Sequence, residues 1–89
     1  MDLDTRLTAP PQVLSRLGGD ETVLLNLESG IYFGLDGVGN YIWEAVSAGK
    51  TLAETIDVIV AEYDVTEQQA QDDVIEFAAN LVERGLLTR

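Results

Sequence analysis

Leu24-Leu25-Asn26-Leu27-Glu28-Ser29-Gly30-Ile31-Tyr32-Phe33-Gly34-Leu35 reads as two short strands joined by a tight turn. Apolar side chains recur at Val23, Leu25 and Leu27, and again at Ile31, Phe33 and Leu35. Period two is the pattern of a strand with one buried face, so these side chains are expected inside. Glu28-Ser29-Gly30 forms the turn, with Gly30 free to take a positive φ. The second strand, Ile31 to Leu35, contains no Lys, Arg or Pro. At the edge of a sheet it is unguarded, and natural proteins guard or use such edges.

Upstream, Val13-Leu14-Ser15-Arg16-Leu17 is a candidate first strand and Gly18-Gly19-Asp20 the turn into the next, which spans Glu21 to Leu27. The three strands make an antiparallel meander, in which the first and third are the edges. Pro11 and Arg16 blunt the first. Pro10-Pro11 disfavours helix, so residues 1–11 are expected to be a flexible N-terminal segment and residues 12–89 the folded domain.

Downstream the period changes to that of helices. Asp36 is placed to cap a first helix running from Gly37 or Val38 to Ser47, with Val38, Tyr41, Ile42, Ala45 and Val46 on one face, and Gly49 ends it. Thr51-Leu52-Ala53-Glu54 is a capping box opening a second helix to Glu62, whose buried face is expected at Leu52, Ile56, Ile59, Val60 and Tyr63. Thr66-Glu67-Gln68-Gln69 reads as another box, opening the longest helix, to Arg84; Gly85 and Leu86 close it. The order is β-β-β-α-α-α, an α+β domain with a helix-turn-helix arrangement beside a small antiparallel sheet.

The third helix carries two apolar rows. Ala70, Val74, Phe77, Ala78 and Leu81 form a core stripe, and Ile75, Ala79, Val82 and Leu86 run beside it, bordered by Asp72, Glu76, Asn80 and Glu83. Two readings are open: a wide core face, or an apolar shelf with an acidic margin.

Composition narrows the chemistry. Sixteen acids against five bases give a net charge of −11, which repels phosphate backbones and steers basic or amphipathic peptides inward. The longest helix itself carries five acids and one base, the wrong sign for a groove-reading DNA element. The chain has neither cysteine nor histidine, so thiolate nucleophiles, zinc sites and His-based triads cannot be built. An acid cluster at Asp72, Asp73 and Glu76 reads more simply as a solvated face than as a metal or acid/base site. Gly34-Leu35-Asp36-Gly37-Val38-Gly39 lacks the spacing of a nucleotide loop. No apolar run spans a membrane and no signal peptide is evident, which with the absent cysteines fits the cytoplasm.

Leu25 to Leu35, Val38-Gly39, Ile42-Trp43, Glu62-Tyr63-Asp64-Val65, Asp73-Val74 and Leu81-Val82-Glu83-Arg84-Gly85-Leu86-Leu87 occur in an order and spacing that resembles the PqqD-like family. The likeness spans residues 12 to 87. Family members are small recognition elements for the precursors of ribosomally made, post-translationally modified peptides (RiPPs). The resemblance implies a winged helix-turn-helix-like domain without catalytic activity or cofactor, which binds a precursor leader as an added strand between the third strand and the third helix. Carried onto this sequence, the strand is Ile31, Tyr32, Phe33, Gly34 and Leu35, and the helix face is Asp72, Ile75, Glu76, Ala79 and Asn80. The row Ile75, Ala79 and Val82 would take aliphatic or aromatic anchors, and Asp72 and Glu76 a Lys or Arg. As a standalone domain with a short first hairpin, the chain most resembles the leader-binding B1 proteins of split lasso-peptide systems. That likeness implies two further partners, a leader peptidase (a separate B2 protein) and a macrolactam synthetase. The alternatives are a PqqD-type peptide chaperone for a radical SAM enzyme and, more remotely, a winged-helix DNA-binding regulator.

Overall fold

The structure, a computed structural model, describes residues 2–18, 21–35 and 37–89, with the side chains of residues 17 and 18 outside that description. The chain runs β1 (Val13–Gly18), β2 (Glu21–Asn26), β3 (Ile31–Leu35), α1 (Gly37–Ser47), α2 (Leu52–Glu62) and α3 (Glu67–Glu83). The strands form an antiparallel meander in the order β1-β2-β3, so the α+β architecture is as the sequence implies. The expected turn at Gly19-Asp20 and the Asp36 cap lie outside the described residues.

The sheet buries the opposite face of β2 from the one that hydrophobicity suggests. Thr22, Leu24 and Asn26 are buried, whereas Val23 and Leu27 are exposed and Leu25 is half-buried. Register explains this. Leu24 stands opposite Phe33, Thr22 opposite Leu35 and Asn26 opposite Ile31, and directly opposed residues share a face. β3 turns Phe33 and Leu35 towards the helices, as expected, so β2 must present Thr22, Leu24 and Asn26 there; Ile31, at the rim, stays exposed. The two polar members have partners. Thr22 Oγ1 donates to Asn40 Oδ1. Asn26 Oδ1 accepts from the backbone N–H of Glu28 at 3.0 Å, and its Nδ2 donates to the Gly85 carbonyl at 3.4 Å. Asn26 thus shapes the β2–β3 turn, where Gly30 takes φ +74°, and ties it to the end of α3. The displaced apolar side chains line the outer face, where Leu14, Arg16, Val23, Leu25 and Tyr32 surround a shallow depression of about 350 Å³.

The helices pack their apolar stripes on the inner face. Ile42, Trp43, Ala45 and Val46 of α1 are buried; Trp43 takes the place expected for Tyr41, which lies edge-on against Tyr63 with ring centroids 5.7 Å apart. In α2, Leu52, Thr55, Ile56 and Ile59 are buried, while Val60 is exposed and Tyr63 half-buried. Ala70, Val74, Ala78 and Leu81 of α3 complete the core. Gly85, at φ +73°, ends α3 in a Schellman motif: Leu86 N–H bonds the Leu81 carbonyl at 2.9 Å and Gly85 N–H that of Val82 at 3.1 Å.

The first capping box forms completely. Glu54 N–H donates to Thr51 Oγ1 at 3.1 Å, and Thr51 N–H donates to Glu54 Oε1 at 2.9 Å. The expected second box is half made: Gln69 N–H bonds Thr66 Oγ1, but the Gln69 side chain donates to Asp73 instead of reaching back. Thr51→Ala should therefore lower stability by about 1 kcal/mol in a denaturant titration. The hydrogen bonds from Thr51, backbone first, hold the Glu54 carboxyl below the usual carboxylate range. A depressed folded-state pKa stabilises above the unfolded pKa, and that contribution is lost as pH falls through the folded value. Glu54→Gln, which removes the titrating carboxyl while keeping a side-chain oxygen to accept from the Thr51 N–H, should accordingly flatten the acid side of the stability–pH profile.

The segment expected to be flexible is built into the domain. Leu7 is fully buried, and the carbonyls of Thr5 and Leu3 accept from Leu52 and Ala53, two N–H groups at the start of α2 without intrahelical partners. Thr8 and Thr88 exchange both backbone hydrogen bonds, at 2.7 and 2.8 Å. Arg6 bonds the Gly49 carbonyl at 2.7 Å.

Candidate functional site

β3 ends the strand order, so one side of it has no strand partner among the described residues. The ladder fixes which backbone groups it leaves open. Leu27 N–H bonds the Gln12 carbonyl at 2.8 Å, and these residues are directly opposed in the register that pairs Val13 with Asn26. Opposed pairs in an antiparallel ladder alternate between hydrogen-bonded and non-hydrogen-bonded. Leu25 and Val23 therefore turn their backbone groups to β1, and Leu24 turns its own to Phe33. It follows that the N–H and C=O groups of Tyr32 and Gly34 point out of the open edge. Nothing lies within 4 Å of where a Cβ on Gly34 would stand, so the backbone there is approachable.

Beside this edge, on the helix side, is a recess of about 300 Å³. Phe33, Gly34 and Leu35 form its strand wall, Val38 and Ile42 line it from α1, and Asp73 and Phe77 form its α3 wall. A Cβ at Gly39 would stand 3.0 Å from Phe77 Cε2, so the missing side chain makes room for the ring over the first turn of α1. At the other end of the groove the Arg84 guanidinium lies over the Phe33 ring, 5.1 Å from its centroid, and its Nε donates to Asn80 Oδ1 at 2.9 Å. α3 thus runs opposite to β3, with Asp73 near Leu35 and its C-terminal end near Phe33 and Asn26.

The structure sorts the site residues read from the sequence. Phe33, Gly34 and Leu35 line the recess. Tyr32 projects to the outer face, 73% exposed, and Ile31 lies at the far end of the strand, 44% exposed. On α3, Asn80 shares the groove-facing row with Asp73, Phe77 and Arg84, and Glu76 stands one step towards solvent. Asp72 and Ala79 are exposed, and Asp72 accepts from Gln68 at 2.9 Å along the outer surface. Ile75 and Val82 lie about 140–160° around the helix from Phe77 and do not line this recess. Both are half-buried, Val82 packing at the margin of the core. The second apolar row is thus the far flank of the core stripe, not the groove wall. Sequence reasoning missed Asp73, Phe77, Val38, Ile42 and Arg84 as groove residues. The available signal was Phe77, the one aromatic in a stripe otherwise built of Ala, Val and Leu.

Among the described residues there is no group of three or more acids placed to hold a metal ion, and no helix long and apolar enough to cross a membrane.

A three-stranded meander with one open edge, beside a groove walled by the last of three helices, is a winged-helix-like α+β domain. The chain belongs to the PqqD family: the family model described as coenzyme PQQ synthesis protein D matches residues 21–87. A solved structure of TbiB1 in complex with the TbiA(beta) leader peptide is 40% identical, with a TM-score of 0.86 over 90% of this chain and 93% of that one. A lasso peptide synthetase B1 complexed with a leader peptide is 22% identical and shares the fold, with a TM-score of 0.88 over 96% of this chain and all of the other. No curated relative matches the chain.

Proposed function

We propose that the domain is a non-catalytic adaptor of lasso-peptide biosynthesis. It binds a precursor leader as a strand added to β3 and presents it to a leader peptidase and a macrolactam synthetase in the cytoplasm. The observation that carries this reading is the open β3 edge beside an apolar recess, in a chain 40% identical to a protein whose structure holds a leader peptide. Backbone groups of Tyr32 and Gly34 supply affinity with little sequence choice, and side-chain pockets supply the choice. The recess between Leu35, Ile42 and Phe77 takes an apolar anchor, and Asp73 with Glu76 meets a Lys or Arg.

Fluorescence polarisation with the TbiA(beta) leader as probe tests the reading. Phe77→Ala should weaken binding about tenfold or more, whereas Ile75→Glu should leave it within about twofold. The reverse result places the anchors on the shelf of Ile75, Ala79 and Val82, near Asp72. No binding by the folded wild-type chain overturns the leader-binding reading. The family model's description favours a second reading, a peptide chaperone to a radical SAM enzyme. Co-purification distinguishes the two: a peptidase retained by the leader-loaded domain supports the first, a radical SAM enzyme the second.

A further inference from the structure

The geometry points to Arg84 as the residue that reads an acidic side chain of the bound peptide, on the groove-facing side of the added strand and towards its C-terminal end. This inference rests on strand addition at β3.

Arg84 is one of five bases in a chain with sixteen acids, and it sits on a groove whose other end is lined by Asp73, with Glu76 exposed one step towards solvent. Its guanidinium is held in two ways, by the Phe33 ring beneath it and by Asn80 Oδ1 on Nε. The contact with the ring and the Nε bond leave the terminal Nη donors without a hydrogen-bond partner among the described residues. Among the described residues, the ion pair present is Arg6–Glu54, and Arg84 makes none. A planar fork held in place with free edge donors is pre-organised for bidentate contact with a carboxylate.

Its place over Phe33 says which peptide residue it meets. A strand added to β3 runs about 4.8 Å away, and directly opposed residues share a face. The peptide residue opposite Phe33 or Ile31 therefore projects towards Arg84, while the residue opposite Leu35 projects to the recess. The sheet is antiparallel throughout, and antiparallel pairing is the more stable kind. The peptide then runs from Leu35 towards Ile31, which places its acid roughly two to four residues C-terminal to its apolar anchor. The reversed orientation carries that acid to Asp73 and Glu76, where like charges repel it. The groove thus selects both a charge and a direction.

Random peptides long enough to span β3, displayed on phage, are panned against the wild type, Arg84→Gln, Arg84→Glu and Gly34→Pro, each checked for fold by circular dichroism. Wild-type binders should be enriched in Asp or Glu at the predicted position, and Arg84→Glu should enrich Lys or Arg there instead. For the best binder, Arg84→Gln and the peptide's acid-to-amide change should each cost about tenfold, and together little more than either alone. That double-mutant cycle decides the matter if Arg84→Glu does not fold. Acid enrichment that persists in Arg84→Glu, or losses that simply add, overturns the role of Arg84. If those binders still fail on Gly34→Pro, strand addition survives that result. Binders indifferent to Gly34→Pro, or none for the folded wild type, overturn both.

Discussion

Gly34→Pro should all but abolish leader binding while leaving the domain folded. The register places the Gly34 N–H on the open side of β3, where it contributes nothing to the ladder with β2. Proline removes that donor and sets its ring in the path of an incoming strand, and proline is tolerated at sheet edges. The loss expected is at least about 100-fold in affinity for the TbiA(beta) leader, or about 2.8 kcal/mol. Phe33→Pro is the contrasting variant. Its N–H faces Leu24, so proline there breaks the ladder and should cost the fold itself. Polarisation titrations with circular dichroism spectra decide the point. A folded Gly34→Pro that binds within about twofold of wild type shows that the peptide does not pair with this edge.

The second large effect concerns stability. Leu24 is fully buried at the centre of the sheet, whereas Val23 beside it is 38% exposed on the outer face. Leu24→Ala should cost about 2–4 kcal/mol, against less than about 1 kcal/mol for Val23→Ala. For a domain of this size the first change should lower Tm by roughly 10–25 °C. Urea melts of the two variants provide the comparison, and equal costs would mean that β2 presents its other face to the helices.

That pair of neighbours also shows what the sequence conveys and what it conceals. Element order and boundaries were legible because caps, turns and periodicity are local. Thr51 with Glu54, Gly30 and Gly85 each mark the place where the structure turns. The β2 face was misread because Thr22 and Asn26 look like surface residues until their partners, Asn40 and Gly85, are in view. Those contacts span long stretches of chain. The strand half of the candidate site was legible for the same local reason: an edge without Lys, Arg or Pro can be recognised from its own residues. The helix half was not. Two apolar rows flank α3, and only its rotation against β3 determines that Asp73 and Phe77 face the strand while Ile75 and Val82 turn away. The N-terminal segment was misjudged similarly: Pro10-Pro11 excludes helix, but burial of Leu7 depends on a core assembled from residues far along the chain.

The reciprocal hydrogen bonds between Thr8 and Thr88 set the first and last segments of the described chain side by side at neighbouring strand positions, about 5.5 Å between Cα atoms. The segment that carries Leu7 and supplies the Thr5 and Leu3 carbonyls to α2 is thus clasped by the last residues, so the two should loosen together in hydrogen exchange rather than fray one at a time.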